Sequence, residues 1–153
     1  MSEFGSTDAV RKTITVRCSA DTAFRIWTEQ INAWWPKGHS RSGHPSTTVL
    51  IEGQAGGRIY ERTPEGVEYD WGQIVVWDPP HHFAYYWYLG SDSQKPTRVD
   101  VQFIAQGKAS TRVDVNHRGP EFIGDLWPRN SSKYDAAWES LIPAYVAACD
   151  ASE

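Results

Sequence analysis

With 153 residues, 40% of them hydrophobic and 22% charged, the chain has the size and composition of one globular domain that needs neither metal nor disulfide to hold a core. A net charge of −4 without any cluster of lysine and arginine excludes the basic surface that nucleic acid requires, and no apolar run is long enough to span a membrane. The eight tryptophans depart from ordinary composition, because a surplus of large rings lines a cavity or an interface as well as filling a core. No signal peptide is visible, and the two cysteines, Cys18 and Cys149, read as buried free thiols of a cytoplasmic protein. Residues 1–9 are expected to be a disordered or expression-derived tail, and residues 10–149 a single domain.

Along the chain, Val10, Lys12, Ile14 and Val16 alternate with polar residues and predict a strand with one buried face. Ser19 or Asp21 caps a helix whose apolar positions are Phe24, Trp27, Ile31 and Trp34, with a break near Glu29–Gln30 and an end before Pro36. The following stretch, 37–46, reads as a loop long enough to be functional. Strands are predicted over 47–52, 58–62, 69–77, 83–89, 97–105 and 111–117, joined by turns of glycine, proline and polar residues. A loop over 118–129 leads to a last helix, Ser131 to Ala148, started by Asn130, Ser131 or Ser132. Its Tyr134, Trp138, Leu141, Tyr145 and Ala148 share one face, and Pro143 is expected to bend it near 139–142. Hairpin-linked strands make an antiparallel sheet. The fold class is therefore α+β: a curved antiparallel β-sheet of about six or seven strands wrapped around a long carboxy-terminal helix, with two short helices after the first strand.

Several pieces occur in a fixed order: Ala23-Phe24 with Trp27-Thr28, Trp34-Trp35-Pro36, Gly56-Gly57-Arg58, Gly66 with Trp71-Gly72, Asp78-Pro79-Pro80 with Trp87, Thr111-Arg112-Val113 with His117-Arg118-Gly119, and Trp138 with Leu141. In this the chain resembles the SRPBCC superfamily, the START-like or birch-pollen-allergen-like helix-grip fold. Within it, the chain is similar to bacterial homologues of the activator of the heat-shock-90 chaperone ATPase. The resemblance covers about residues 10–148 and implies a hydrophobic cavity between the sheet and the last helix.

The candidate ligand-binding residues are Trp35, Glu61, Trp71, Trp87, Phe103, His117, Tyr134, Trp138, Leu141 and Tyr145. Alternation puts Glu61 beside Ile59 on the inner face of its strand, where a carboxylate is costly unless hydrogen-bonded. Buried there, it would anchor a ligand or act as a general base with a raised pKa; the alternative is a rim residue paired with an arginine. His117 ends a strand whose inner face carries Val113 and Val115, and either faces the cavity or serves structure. Asp70 and Arg62 are further polar candidates, with a surface pair as the alternative. Alternation does not decide which face Tyr86 and Trp87 take. His39, His44, His81 and His82 lack metal-ligand spacing, and no nucleophile elbow, Walker loop or dinucleotide fingerprint occurs, so neither metal nor cofactor is expected.

Three functions follow. The first is binding of a small hydrophobic or aromatic molecule between sheet and helix. The second is a polyketide cyclase-like or aromatase-like enzyme with Glu61 and His117 as acid and base. The third is a co-chaperone-like regulator of a heat-shock-90 ATPase. The absence of an amino-terminal domain resembling the chaperone-binding part of such proteins argues against a chaperone partner. Exposed tryptophans would suit a homodimer.

Overall fold

The computed structural model describes residues 9–37, 39–89, 96–119 and 126–152. Within them run β1 (Ala9–Val16), α1 (Ala20–Thr28), α2 (Ile31–Trp34), β2 (Thr48–Ile51), β3 (Arg58–Arg62), β4 (Glu68–Asp78), β5 (His82–Trp87), β6 (Thr97–Ala105), β7 (Thr111–Arg118) and α3 (Leu126–Ala151). The seven strands form one sheet in the order β1-β7-β6-β5-β4-β3-β2, every neighbouring pair antiparallel. Hairpin neighbours run from β2 to β7, and β1 joins the far edge by pairing with β7. The expected tail falls outside the described residues except for Ala9, which begins β1 opposite Arg118.

Alternation in β6 and β7 builds the core face. Val99, Val101 and Phe103 lie opposite His117, Val115 and Val113, and all six are buried. In β5 the same parity turns Phe83, Tyr85 and Trp87 inward, with successive rings 5.5 and 5.6 Å apart, and this assigns Trp87 to the inner face. A register shift between Ile74 and Val76 in β4 interrupts alternation, so periodicity alone could not place the rings of that strand.

Ser19 caps α1 by accepting from the Thr22 amide at 3.2 Å, and α1 buries Ala23, Phe24, Ile26 and Trp27. The helix stops at the expected break, and Trp34 of α2 ties back by donating its indole N–H to the Ile26 carbonyl at 2.9 Å. Trp35 is extended, as the residue before a proline should be.

The last helix departs from expectation at its start. It begins at Leu126, so residues 126–129 of the expected loop 118–129 form its first turn, and Ser131 and Ser132 lie inside it rather than capping it. Trp127 provides the reason. It is buried, stacks on Tyr134 seven residues later at 5.9 Å, and lies so close to Gly119 that a Cβ there would stand 2.5 Å from its ring. Pro128 falls in the first turn, where a helix has no use for the missing N–H. The helix continues through Pro143. Its buried stripe is Tyr134, Trp138, Leu141, Tyr145 and Cys149, each such side chain contributing roughly 2 kcal/mol of apolar burial. α3 packs on β1, α1 and α2.

Cys18 and Cys149 are buried and not joined in a disulfide, and burial pushes the Cys149 thiol up to about 12. Among the described residues the only exposed large hydrophobic side chain is Val67; six of the eight tryptophans are buried and Trp77 and Trp87 half-buried, so the exposed tryptophans expected to suit a homodimer are not found. No described helix is long and apolar enough to cross a membrane.

Candidate functional site

Beneath the amino-terminal half of α3 lies a cavity of about 660 Å³, within the range that holds a drug-sized molecule. Tyr85 and Trp87 of β5, with Leu89 beyond it, form one wall, and His117 of β7 continues it. Tyr134, Ala137, Trp138 and Leu141 of α3 form the opposite wall, with Lys133, Ala136 and Ser140 along its border. Trp35 and the loop residues His39, Ser40 and Arg41 close a third side. Trp35 is held from both directions. Its indole N–H donates to the His39 carbonyl at 2.6 Å, and its ring packs against Trp71 at 5.3 Å and Trp87 at 5.9 Å.

His117 is buried among the rings of Tyr134, Trp127 and Trp138, at 4.4, 5.9 and 6.1 Å. The Trp138 indole N–H can only donate, so at 3.0 Å from Nδ1 it makes that nitrogen an acceptor. The proton of the neutral ring then sits on Nε2, which donates to Thr97 Oγ1 at 2.6 Å, and Thr97 donates onward to the Trp87 carbonyl at 3.3 Å. Burial drives the pKa of His117 down to about 3, so the imidazole is neutral and both nitrogens are engaged. It fixes the rotamer of Trp138 and links α3 to the sheet. Tyr85, also on the cavity wall, is held far above its ordinary pKa by burial, aided by the charge of Asp100, and so keeps its phenolic proton.

Glu61 lies on the inner side of β3 and is fully buried. Its Oε1 accepts from the Arg41 amide at 2.6 Å, the Ser42 amide at 3.2 Å and the Trp71 indole at 2.9 Å. Its Oε2 accepts from the hydroxyls of Ser42 at 2.6 Å and Thr47 at 2.8 Å. Burial alone would raise its pKa, but the bonds from Ser42, Trp71, Thr47 and the Arg41 amide outweigh it and hold the group below the ordinary carboxylate range. The pKa thus moves opposite to the expectation for a buried general base, and among the described residues no arginine side chain pairs with it. Five donors converge on one carboxylate, four of them from the loop that closes the cavity and the fifth, the Trp71 indole, from β4. Glu61 is the tether of that loop.

A family model described as Activator of Hsp90 ATPase homolog 1-like protein matches residues 17–141. The chain belongs to this family. With it comes membership of the SRPBCC superfamily. Among solved structures, CalC from Micromonospora echinospora, a self-sacrificing resistance protein, is 26% identical with a TM-score of 0.71, the match covering 95% of this chain and 97% of that one. Txn09, an anthrahydroquino-γ-pyrone synthase complexed with SUM, is 27% identical with a TM-score of 0.61, covering 90% and 94%. Protein NE0264 from Nitrosomonas europaea, 11% identical with a TM-score of 0.68 over 97% of both chains, shares the fold. A comparison with curated proteins gave no match.

Of the residues expected at the site, Trp35, Trp87, His117, Tyr134, Trp138 and Leu141 come together around the cavity. Glu61 and Trp71 stand one layer behind Trp35, and Phe103 and Tyr145 belong to the packed core around Trp27, at 6.2 and 4.7 Å from its ring. Arg62 pairs with Glu68 at 2.9 Å and Arg58 with Asp70 at 3.3 Å, both away from the cavity lining. Among the described residues no histidine, cysteine and carboxylate cluster could hold a metal. Sequence reasoning missed Tyr85, Leu89, Lys133, Ala136, Ala137, Ser140 and the loop residues 39–41. Ala137 was readable, since it sits three residues after Tyr134 and four before Leu141 on one helical face.

Proposed function

We propose that this protein binds a small aromatic or largely apolar molecule between β5, β7 and the amino-terminal half of α3. The observation that carries this reading is the cavity of about 660 Å³ walled by Trp35, Tyr85, Trp87, Tyr134, Trp138 and Leu141. Its rings are held by hydrogen bonds at their edges, at Trp35 and Trp138, so the walls are preformed and little ordering cost falls on binding. His117 positions Trp138, and Glu61 positions the loop.

An enzyme of cyclase-like chemistry is the second reading, favoured by 27% identity to the synthase Txn09. The bonding of Glu61 and His117 weighs against these two as its acid and base. Both nitrogens of His117 are engaged, and Glu61 lies outside the cavity lining. A role as regulator of a heat-shock-90 ATPase rests on the family description alone.

The test is a thermal-shift and tryptophan-fluorescence titration with fused-ring aromatics, run beside Ala137→Trp, which fills the cavity from the helix side. The reading expects saturable quenching and a raised Tm in the parent protein and neither in the variant. An unchanged Tm across the panel, or identical responses from both proteins, contradicts it.

A further inference from the structure

We propose that Tyr85 is the specificity-determining residue of the cavity: its hydroxyl donates a hydrogen bond to a carbonyl oxygen of the occupant, which is a planar aromatic ketone rather than a bare hydrocarbon. This rests on the cavity being a ligand site and adds the group on the ligand that the protein reads.

The argument follows the donors of the buried wall. The Trp35 indole N–H is spent on the His39 carbonyl at 2.6 Å, and that of Trp138 on His117 Nδ1 at 3.0 Å. The other nitrogen of His117 is spent on Thr97 at 2.6 Å. The Tyr134 hydroxyl is sealed in packing. Tyr85 differs from all of these. It is only 4% exposed and lines the cavity, yet its hydroxyl makes no hydrogen bond to a described residue. Nor is that oxygen sealed in packing, which leaves the cavity as the space it opens to. Tyr145, in the filled part of the core, shows the usual arrangement, with its hydroxyl bonded to the Ala23 carbonyl at 2.7 Å. A buried hydroxyl without a protein partner is uncommon and waits for one. The Tyr85 ring is fixed between those of Phe83 at 5.5 Å and Trp87 at 5.6 Å, so the hydroxyl needs no ordering when a ligand arrives. Burial keeps its proton in place, and a phenol whose lone pair is drawn into the ring donates better than it accepts. The complementary group is therefore an acceptor oxygen on an otherwise apolar ring system. A ligand without it leaves the hydroxyl unpaired, and a site built around one polar group discriminates most strongly against that loss.

The experiment compares 9-fluorenone with fluorene, the same planar ring system with and without a carbonyl. Affinities for the full chain are measured by equilibrium dialysis for the parent and for Tyr85→Phe, which removes one oxygen. The variant should lower the affinity for fluorenone relative to fluorene about tenfold. The carbonyl stretch of bound fluorenone should lie at lower wavenumber in the parent than in the variant, a shift that a merely structural tyrosine would not produce. Without ligand, Tyr85→Phe should keep or raise the Tm, because no protein hydrogen bond is lost. Ala137→Trp, with Ser140→Trp as a second filling variant and circular dichroism as the check on folding, should abolish binding of both compounds. If Tyr85→Phe leaves the affinity ratio and the carbonyl stretch unchanged while the filling variants still abolish binding, the cavity reading stands and the assignment to Tyr85 fails. A Tm lowered by several degrees in Tyr85→Phe also overturns it, since the hydroxyl would then serve the fold. If neither compound binds, the cavity reading fails as well.

Discussion

Trp138 and Tyr145 lie two turns apart on the same face of α3, yet Trp138 borders the cavity while Tyr145 is locked in solid packing. The Tyr145 ring meets Trp27 at 4.7 Å and Trp34 at 5.3 Å, and its hydroxyl donates to the Ala23 carbonyl at 2.7 Å. Around Trp27, Phe24, Phe83 and Phe103 fill the remaining space edge to face. The difference comes from what covers each half of the helix. α1 and α2 insert large rings under the carboxy-terminal half. Under the other half, the loop after α2 is held back by Glu61, and α3 itself turns small residues, Ala136, Ala137 and Ser140, to the cavity. A fold thus keeps room for a ligand by where it places its plugs, not by having fewer aromatic residues.

Substitutions can separate the two halves. Trp27→Ala should have the largest effect, a loss of about 4 kcal/mol in urea unfolding, because it empties the plugged half. The folded fraction should keep its affinity for an aromatic dye. Glu61→Ala should cost about 3 kcal/mol, since the Trp71 indole and two loop amides lose a buried, charged acceptor. Unlike Trp27→Ala, it should also weaken dye binding by releasing the wall that Arg41 belongs to. Acid should act on the cavity half through His117. Its folded pKa of about 3 lies below the ordinary histidine value of about 6.5, so above that value folded and unfolded chains are both neutral there. As pH falls below it, only the unfolded chain takes the proton. Stability should drop by up to about 1.4 kcal/mol per pH unit until the folded value is reached. His117→Gln should flatten that slope in urea midpoints measured from pH 7 to 5. Glu61, whose folded pKa is lowered, adds a separate loss that begins only below the ordinary carboxylate range. The smallest effect belongs to Lys12→Met. It removes ion pairs to half-exposed or exposed carboxylates and should change stability by about 0.5 kcal/mol, less at high salt.

The plugged half was the more legible in sequence. Alternation in β6 and β7 and the three-to-four spacing of Phe24, Trp27, Ile31 and Trp34 are periodic signals, and periodicity reports burial. The start of α3 was not legible, because Trp127 belongs to the helical stripe only through its contacts with Gly119, His117 and Tyr134. Rings of the core and rings of the cavity carry the same periodic mark, so Phe103 and Tyr145 read like Trp87 and Trp138. Glu61 was placed on the correct face, but its donors Arg41, Ser42 and Thr47 lie 14 to 20 residues away in a loop without a pattern.

The most direct measurement uses the indole N–H signals of the tryptophans in a nitrogen-15-labelled sample titrated with N-phenyl-1-naphthylamine. Trp35, Trp87 and Trp138 border the cavity and should shift with one common saturation curve, while Trp27 and Trp34, in the plugged half, should stay in place. Shifts centred on Trp27 and Trp34, or none at any tryptophan at saturating dye, would contradict the account.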